Sequence, residues 1–324
     1  MPDFKLFSTT SHVGLAKEVA DELGIDLSPI TTSRFSCGET YVNVEESVRG
    51  KDVYIIHTST KDVNEGYMEL FLTVDAMKRS FASSIHVILP HYGYARQDRR
   101  TKTREAMSSK VIATFLERVG VDHLVTFNLH SEQIQGFFDI VVDNISTRTF
   151  FADYFKKKKD LNLEETVVVS TDAGGAKAAH KFSSKLGTSF AIMHKHRSDH
   201  NKSEVVGLIG DVENKAVIIY DDMVDTAGSV CNSAEELVRK GAKKDQIYLA
   251  ATHPIFSGNA VERLNEVNFK EIVVANTIPV TDVPKIKNLT VLSIAPLIAR
   301  IIMHIQTKQS VSVLFTDINK RKNQ

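Results

Sequence analysis

The chain has 324 residues, enough for two domains of about 150 residues that each bury a core. Forty lysines and arginines balance forty aspartates and glutamates, so no global field favours nucleic acid or an anionic membrane surface, and any anion binding must be local. The two cysteines, Cys37 and Cys231, are far apart and outside any C-x-x-C string, which leaves neither a disulfide framework nor a zinc site. No apolar run approaches the roughly 18 residues needed to span a bilayer, and MPDFKLFSTT lacks a signal-peptide core, so a reducing cytoplasm is the expected home.

Short apolar runs alternate with helical segments along the chain. VYII at Val53 precedes a helix near Gly66 to Ser80, HVILP at His86 precedes a helix near Ser108 to Val119, and HLVTF follows at His123. A second series runs from TVVVS at Thr166 through a helix near Gly174 to Leu186, then FAIMH at Phe190, VIIY at Val217, a helix from Val230 to Lys240, IYLAA at Ile247 and EIVVA at Glu271. This alternation predicts two α/β halves, each with a parallel sheet and crossover helices. The boundary is expected near Asn144 to Arg148, before a polar helix whose Lys156 to Lys159 run reads as a solvated face. The helix Ala295 to Gln306 and the strand-like SVSVLF at Ser310 fit either half.

Ligands of such sheets bind beyond the carboxyl ends of the strands. HYGYARQDRRTKTRE, after the strand ending at Pro90, places Arg96, Arg99, Arg100 and Arg104 in one loop with Gln97 and Asp98. Guanidinium forks match phosphate oxygens, and Tyr92 or Tyr94 could stack on a base. In FNLHSEQIQGFFD, His130 follows a strand, where an imidazole could meet a metal or a phosphate, although a lone histidine is more often structural. VVVSTDAGGAK breaks a buried strand into Asp172, Gly174 and Gly175, a second loop open to close backbone approach. MHKHRSDHNKSEV carries Lys195 and Arg197, cations suited to transition-state charge; its histidines 194, 196 and 200 lack the further ligands of a familiar zinc set.

The most telling stretch is VIIYDDMVDTAGSV. A β-branched strand from Ala216 to Tyr220 should end abruptly at Asp221, Asp222 and Asp225, before the small residues Thr226, Ala227, Gly228 and Ser229 open a helix. Backbone amides and the helix dipole there suit a phosphate monoester, while the carboxylates suit sugar hydroxyls, directly or through magnesium. No Walker A string and no G-x-G-x-x-G fingerprint occurs. The pattern resembles the phosphoribosyl-pyrophosphate loop of type I phosphoribosyltransferases and ribose-phosphate pyrophosphokinases.

Taken in order, RFSCGETYVNVEESVRGKDVYII, PHYGYARQDRR, LHSEQIQGFFD, DAGGAK, KHRSDHNKSEV and DDMVDTAGS resemble the ribose-phosphate pyrophosphokinase family, the phosphoribosyl pyrophosphate synthetases, over almost the whole chain. A simple phosphoribosyltransferase would share only the last motif. The resemblance implies an α/β fold of two type I phosphoribosyltransferase-like domains, each a mainly parallel sheet flanked by helices. Residues 1–145 with a segment at about 303–318 would form an ATP-binding and oligomerisation domain, and residues 146–302 a ribose-5-phosphate-binding domain. It further implies a homo-oligomer, hexamer or dimer, with no nucleic-acid or membrane partner. The implied reaction moves the diphosphoryl group of magnesium ATP to the 1-hydroxyl of ribose 5-phosphate, with Mg2+ as cofactor and inorganic phosphate as activator.

On the matching positions, Asp225, Thr226, Ala227, Gly228 and Ser229 would hold the 5-phosphate, and Asp221 and Asp222 the ribose hydroxyls and a magnesium. Arg96, Gln97, Asp98 and Arg99 would hold ATP, Phe35, Cys37 and Glu39 its adenine from a neighbouring subunit, His130 and Asp172 a metal, and Lys195 and Arg197 the catalytic loop. Cys37 stands where the family usually has aspartate, which implies weaker selection for adenine. Thr171 and Ala106 replace usual prolines, and Ser229 replaces a threonine while keeping the hydroxyl. Ser47, Arg49 and SVSVLF resemble parts of a phosphate and ADP regulatory site, where Phe81 replaces a small serine. The competing reading is a non-catalytic regulatory homologue; such proteins carry insertions near the catalytic loop, and His194 to Val205 runs without one.

Overall fold

The computed structural model describes residues 4–60, 62–196, 205–281 and 284–314. The chain divides into two compact units, residues 1–146 with 277–279 and 293–324, and residues 147–276 with 280–292.

In unit 1, β1 (Phe4–Ser8) leads into α1 (Val13–Leu23), and β2 (Ile30–Arg34) and β3 (Thr40–Val44) form a hairpin of their own. There follow β4 (Asp52–Ile56), α2 (Val63–Arg79), β5 (Ser84–Leu89), α3 (Ser108–Val119), β6 (His123–Phe127) and β7 (Val141–Ile145). The sheet is wholly parallel in the order β1-β4-β5-β6-β7. Its central strands β4, β5 and β6 bury nearly every side chain because both of their faces are covered, whereas the edge strand β7 stays partly open. Val53, Ile55, Val87, Leu89 and Leu124 pack with Leu70 and Val74 of α2 and with Ile112, Ala113 and Leu116 of α3.

Unit 2 runs α4 (Arg148–Lys156), β8 (Thr166–Ser170), α5 (Ala176–Leu186), β9 (Ser189–His196), β10 (Val205–Ile209), β11 (Ala216–Val224), α6 (Gly228–Arg239), β12 (Ile247–Pro254), α7 (Ala260–Val267), β13 (Glu271–Ala275) and β14 (Leu289–Leu292). Its sheet, β10-β9-β8-β11-β12-β13-β14, is parallel except for the antiparallel β9–β10 edge. Val167, Val169, Val217, Ile219 and Leu249 pack with Val230, Ala234 and Leu237 of α6 and Leu264 of α7. A second aromatic cluster joins Phe155, Phe182, Tyr220 and Tyr248, with the Phe182 and Tyr220 rings stacked at 4.4 Å.

The chain then returns to unit 1 as α8 (Ala295–Gln306), which buries Leu297, Ile298, Ile301 and Ile302. Gln306 Nε2 donates to Tyr54 Oη at 2.9 Å and to Asp52 Oδ2 at 3.2 Å, tying the helix end to β4. The resemblance implied a C-terminal segment from about residue 303; the compact unit 1 takes in residues 277–279 and the chain from Ser293 onward.

Three local expectations differ from the structure. SVSVLF does not form a strand over its described part: Val311–Leu314 is a 3-10 turn, and the Ser310 and Ser312 hydroxyls bond each other at 2.7 Å, a local pairing that competes with extension. The helix before Lys157 is amphipathic, burying Phe151, Ala152 and Phe155. Within the Lys156 to Lys159 run, Lys156, Lys157 and Lys159 are exposed as expected, whereas Lys158 is half-buried and its ammonium pairs with Glu271 at 2.9 Å. Finally, β11 continues to Val224, so Asp221 and Asp222 lie on the strand rather than after it.

Candidate active site

The loop after β11 is built almost entirely from backbone geometry. Ala227 precedes α6 with φ 60° and ψ 0°, left-handed values that a side-chain-bearing residue avoids at a cost of about 1–2 kcal/mol. Such strain persists only where the surroundings over-determine it. Here they do: the Val224 carbonyl accepts from Ile255 N (2.9 Å) and Phe256 N (3.0 Å), and the Asp225 carbonyl accepts from Ser257 N (3.0 Å). The Thr226 carbonyl accepts from Arg263 Nη1 (3.0 Å), and the Ser257 hydroxyl donates to the Asp225 carboxylate. No side chain caps α6, so the amides of its first turn carry the positive end of the helix. Thr226 and Ser229 are exposed beside them.

Asp221 and Asp222 precede this loop, both half-buried. Asp221 Oδ2 accepts from the Thr171 hydroxyl at 3.0 Å and Oδ1 accepts from Asp222 N at 2.8 Å. Burial, and then the Asp222 carboxylate, push the Asp221 carboxyl well above its ordinary range. Thr171 directly follows β8, which pairs with β11, so the structure brings the Asp172 loop beside the acidic pair. Asp172 Oδ1 accepts from Gly175 N at 2.9 Å, and a Cβ on Gly174 would stand 3.2 Å from the same oxygen.

The arginine loop after β5 is held by buried polar side chains of unit 1. Gly93 N donates to Ser59 Oγ at 3.0 Å, Tyr67 Oη donates to the Gly93 carbonyl at 3.2 Å, and Tyr92 Oη donates to the Ser109 carbonyl at 2.8 Å. A Cβ on Gly93 would come to 2.7 Å from Ser59 Oγ and Val63 Cγ2, so only glycine fits. Further along, Gln97 Oε1 accepts from the Ser108 hydroxyl at 2.5 Å. Glu105 accepts from Lys102 N (2.8 Å), Thr101 N (2.8 Å) and Thr101 Oγ1 (2.9 Å), bonds that hold its carboxyl below its usual range. Between these anchors Arg96, Arg99, Arg100 and Arg104 are exposed, and Asp98 is half-buried.

Phe35, Cys37 and Glu39 form the exposed tip of the β2–β3 hairpin. Phe35 N donates to the Glu39 carbonyl (2.9 Å) and Gly38 N to the Phe35 carbonyl (2.8 Å), with Gly38 at φ 96°. The Phe35 and Tyr41 rings meet edge to face at 5.9 Å. His130 is exposed after β6 in unit 1, and Asp172 belongs to unit 2. Among the described residues no group of three or more His, Cys, Asp and Glu side chains stands ready to hold a metal. Lys195 is on β9, and Arg197 lies outside the described residues. Among the described residues no helix is long and apolar enough to cross a membrane.

The sequence reading passed over the anchors: Ser59 and Tyr67 for one loop, Ser257 and Arg263 for the other. Arg263 lies in VERLNEV, where an exposed arginine on an amphipathic helix carries no signal of its own.

Residues 4–120 match the family model described as the N-terminal domain of ribose phosphate pyrophosphokinase, and residues 204–316 match the phosphoribosyl synthetase-associated domain. The chain is 43% identical over 314 residues to the ribose-phosphate pyrophosphokinase of Bacillus subtilis (strain 168), covering 97% of this chain and 98% of that one. It is 45% identical over 311 residues to the protein of the same name from Fusobacterium nucleatum, covering 96% and 98%. The crystal structure of phosphoribosylpyrophosphate synthetase from Mycobacterium smegmatis superimposes with a TM-score of 0.88 at 38% identity, over 94% of this chain and 99% of that one.

Proposed function

Because the chain belongs to the ribose-phosphate pyrophosphokinase family, we propose that it transfers the diphosphoryl group of magnesium ATP to the 1-hydroxyl of ribose 5-phosphate, giving 5-phosphoribosyl 1-pyrophosphate and AMP for nucleotide biosynthesis. The observation that carries this reading is the loop after β11: a left-handed Ala227 held at the uncapped start of α6, directly behind a half-buried pair of carboxylates. Amides at a helix start suit a phosphate monoester, and carboxylates suit the hydroxyls of the same sugar.

In this reading Asp225, Thr226, Ala227, Gly228 and Ser229 hold the 5-phosphate, and Asp221 and Asp222 the ribose. Arg96, Gln97, Asp98 and Arg99 hold ATP. Phe35, Cys37 and Glu39 read the adenine bound to a neighbouring copy in a homo-oligomer. Residues 1–145 with the C-terminal segment then form the ATP and assembly domain, and the rest the ribose-5-phosphate domain, in a cytoplasmic enzyme activated by inorganic phosphate.

Asp221 also supports magnesium. Two neighbouring carboxylates, one pushed toward its protonated form, oppose joint ionisation, and a divalent cation relieves that opposition. Asp221 and Asp222 would hold it, with Asp172 and His130 as further metal positions; bound magnesium supplies charge neutralisation to phosphoryl oxygens. The 1-hydroxyl oxygen attacks the β-phosphorus and gives up its proton to solvent, the bond from that phosphorus to the α,β-bridging oxygen breaks, and AMP leaves with that electron pair while the β,γ bridge stays intact. The chain's part is to align nucleophile and phosphorus and to place Lys195 and Arg197 against the charge that spreads over the phosphoryl oxygens.

Incubation with ATP, ribose 5-phosphate, magnesium and inorganic phosphate tests the proposal. AMP appearing in step with phosphoribosyl pyrophosphate supports it; ribose 5-phosphate binding without turnover would point to a regulatory homologue instead.

A further inference from the structure

We infer that Arg263 is part of the sugar-phosphate subsite, setting the loop's amides and supplying the cation that the loop itself lacks. The inference rests on the sugar-phosphate reading of residues 225–229. That segment contains a carboxylate and two hydroxyls but no basic side chain. A dianionic monoester there faces Asp225 and, just upstream, Asp221 and Asp222.

The geometry assigns the compensating charge to α7. Arg263 Nη1 is 3.0 Å from the Thr226 carbonyl oxygen, and the same nitrogen stands 3.1 Å from where a Cβ on Gly228 would be. Gly228 therefore leaves room for the guanidinium. In a trans peptide the C=O and the following N–H point in opposite directions. Binding the Thr226 carbonyl from the α7 side turns the Ala227 N–H the other way. The carbonyls of Val224 and Asp225 are drawn to the same segment by the amides of Ile255, Phe256 and Ser257. Three successive carbonyls are thus removed from the anion, and the left-handed Ala227 carries the amide series into α6, the arrangement of an anion nest. Against the backbone amides of Ile255, Phe256 and Ser257, Arg263 brings a charged side chain to this set of carbonyls.

The test is calorimetric titration of the full-length protein and its Arg263→Ala, Arg263→Met and Arg263→Lys variants with ribose 5-phosphate and, separately, with a non-hydrolysable ATP analogue. Arg263→Ala is expected to weaken ribose 5-phosphate binding at least tenfold while the ATP analogue stays within about twofold. Arg263→Lys should recover much of the loss, because the charge returns without the fork. Affinity for ribose 5-phosphate should also fall less steeply with salt in Arg263→Met than in the unaltered protein. Arg263→Met keeps an apolar stem and serves where Arg263→Ala does not fold. Unchanged ribose 5-phosphate affinity in a variant that still binds the ATP analogue would overturn the role of Arg263. Failure of the unaltered protein to bind ribose 5-phosphate would instead overturn the reading of the loop.

Discussion

The arginine loop of unit 1 and the 225–229 loop of unit 2 start alike and end as opposites. Each follows a buried parallel strand, each enters a helix that no side chain caps, and each contains a non-glycine residue in left-handed conformation, Tyr94 and Arg104 in one and Ala227 in the other. The first is long, rich in exposed cations and anchored by side chains at Ser59, Tyr67, Tyr92 and Glu105. The second is short, acidic, and anchored chiefly by backbone amides, with one serine hydroxyl and one arginine beside them. The difference follows the proposed ligands: a polyphosphate presents many oxygens and needs side chains that reach, whereas a single monoester fits within the amides of one turn.

If both loops only bind, the rate must come from elsewhere. Lys195→Ala is then expected to lower kcat about 100-fold while the KM values for ATP and ribose 5-phosphate change little. A change confined to one KM would return Lys195 to binding. The next largest effect is expected at the tightest point of the arginine loop. Gly93→Val should displace the loop from Ser59, cost about 1–3 kcal/mol of stability, and raise KM for ATP about tenfold with that for ribose 5-phosphate unchanged.

Acid separates the two units in opposite senses. Burial holds His57 at about 3 and His86 at about 4, below the ordinary 6.5, so the folded unit 1 keeps them neutral. The stability they give is present above pH 6.5 and is lost as pH falls toward those values, at up to about 1.4 kcal/mol per pH unit for each. Asp221 is raised, so its contribution is present below its ordinary 3.8 and is lost as pH rises through its shifted value. Hydrogen exchange between pH 7 and 5 should show protection falling in β4 and β5 and holding or rising in β8 and β11; parallel losses in both would contradict this assignment of the buried groups. The smallest effect is expected from Ala227→Gly. Relief of the left-handed strain, less the extra entropy of glycine in the unfolded chain, should stabilise the protein by about 1 kcal/mol or less in thermal denaturation.

Both loops were legible in the sequence because a buried strand that breaks into charged or small residues is a local signal. The runs at Val53, His86, Thr166 and Ile247 fall on observed strands for the same reason. What holds the loops was not legible. Ser59 and Tyr67 reach Gly93 across 34 and 26 residues of chain, and the Arg263 guanidinium reaches Thr226 across 37, so no spacing rule connects them. The reading also ended β11 at the first acidic residue. In the fold the ladder continues, pairing Asp221 with Ala251 and Met223 with His253, because partner strand β12 runs on to Pro254.

The division of substrates between the loops is tested most directly by reciprocal calorimetry. Arg99→Ala and Ser229→Ala would each be titrated with ribose 5-phosphate and with a non-hydrolysable ATP analogue in magnesium. Arg99→Ala should weaken the nucleotide and spare the sugar phosphate, and Ser229→Ala should do the reverse. The opposite pattern, or equal losses of both ligands in each folded variant, would contradict the assignment of nucleotide to the arginine loop and sugar phosphate to the turn at Ala227.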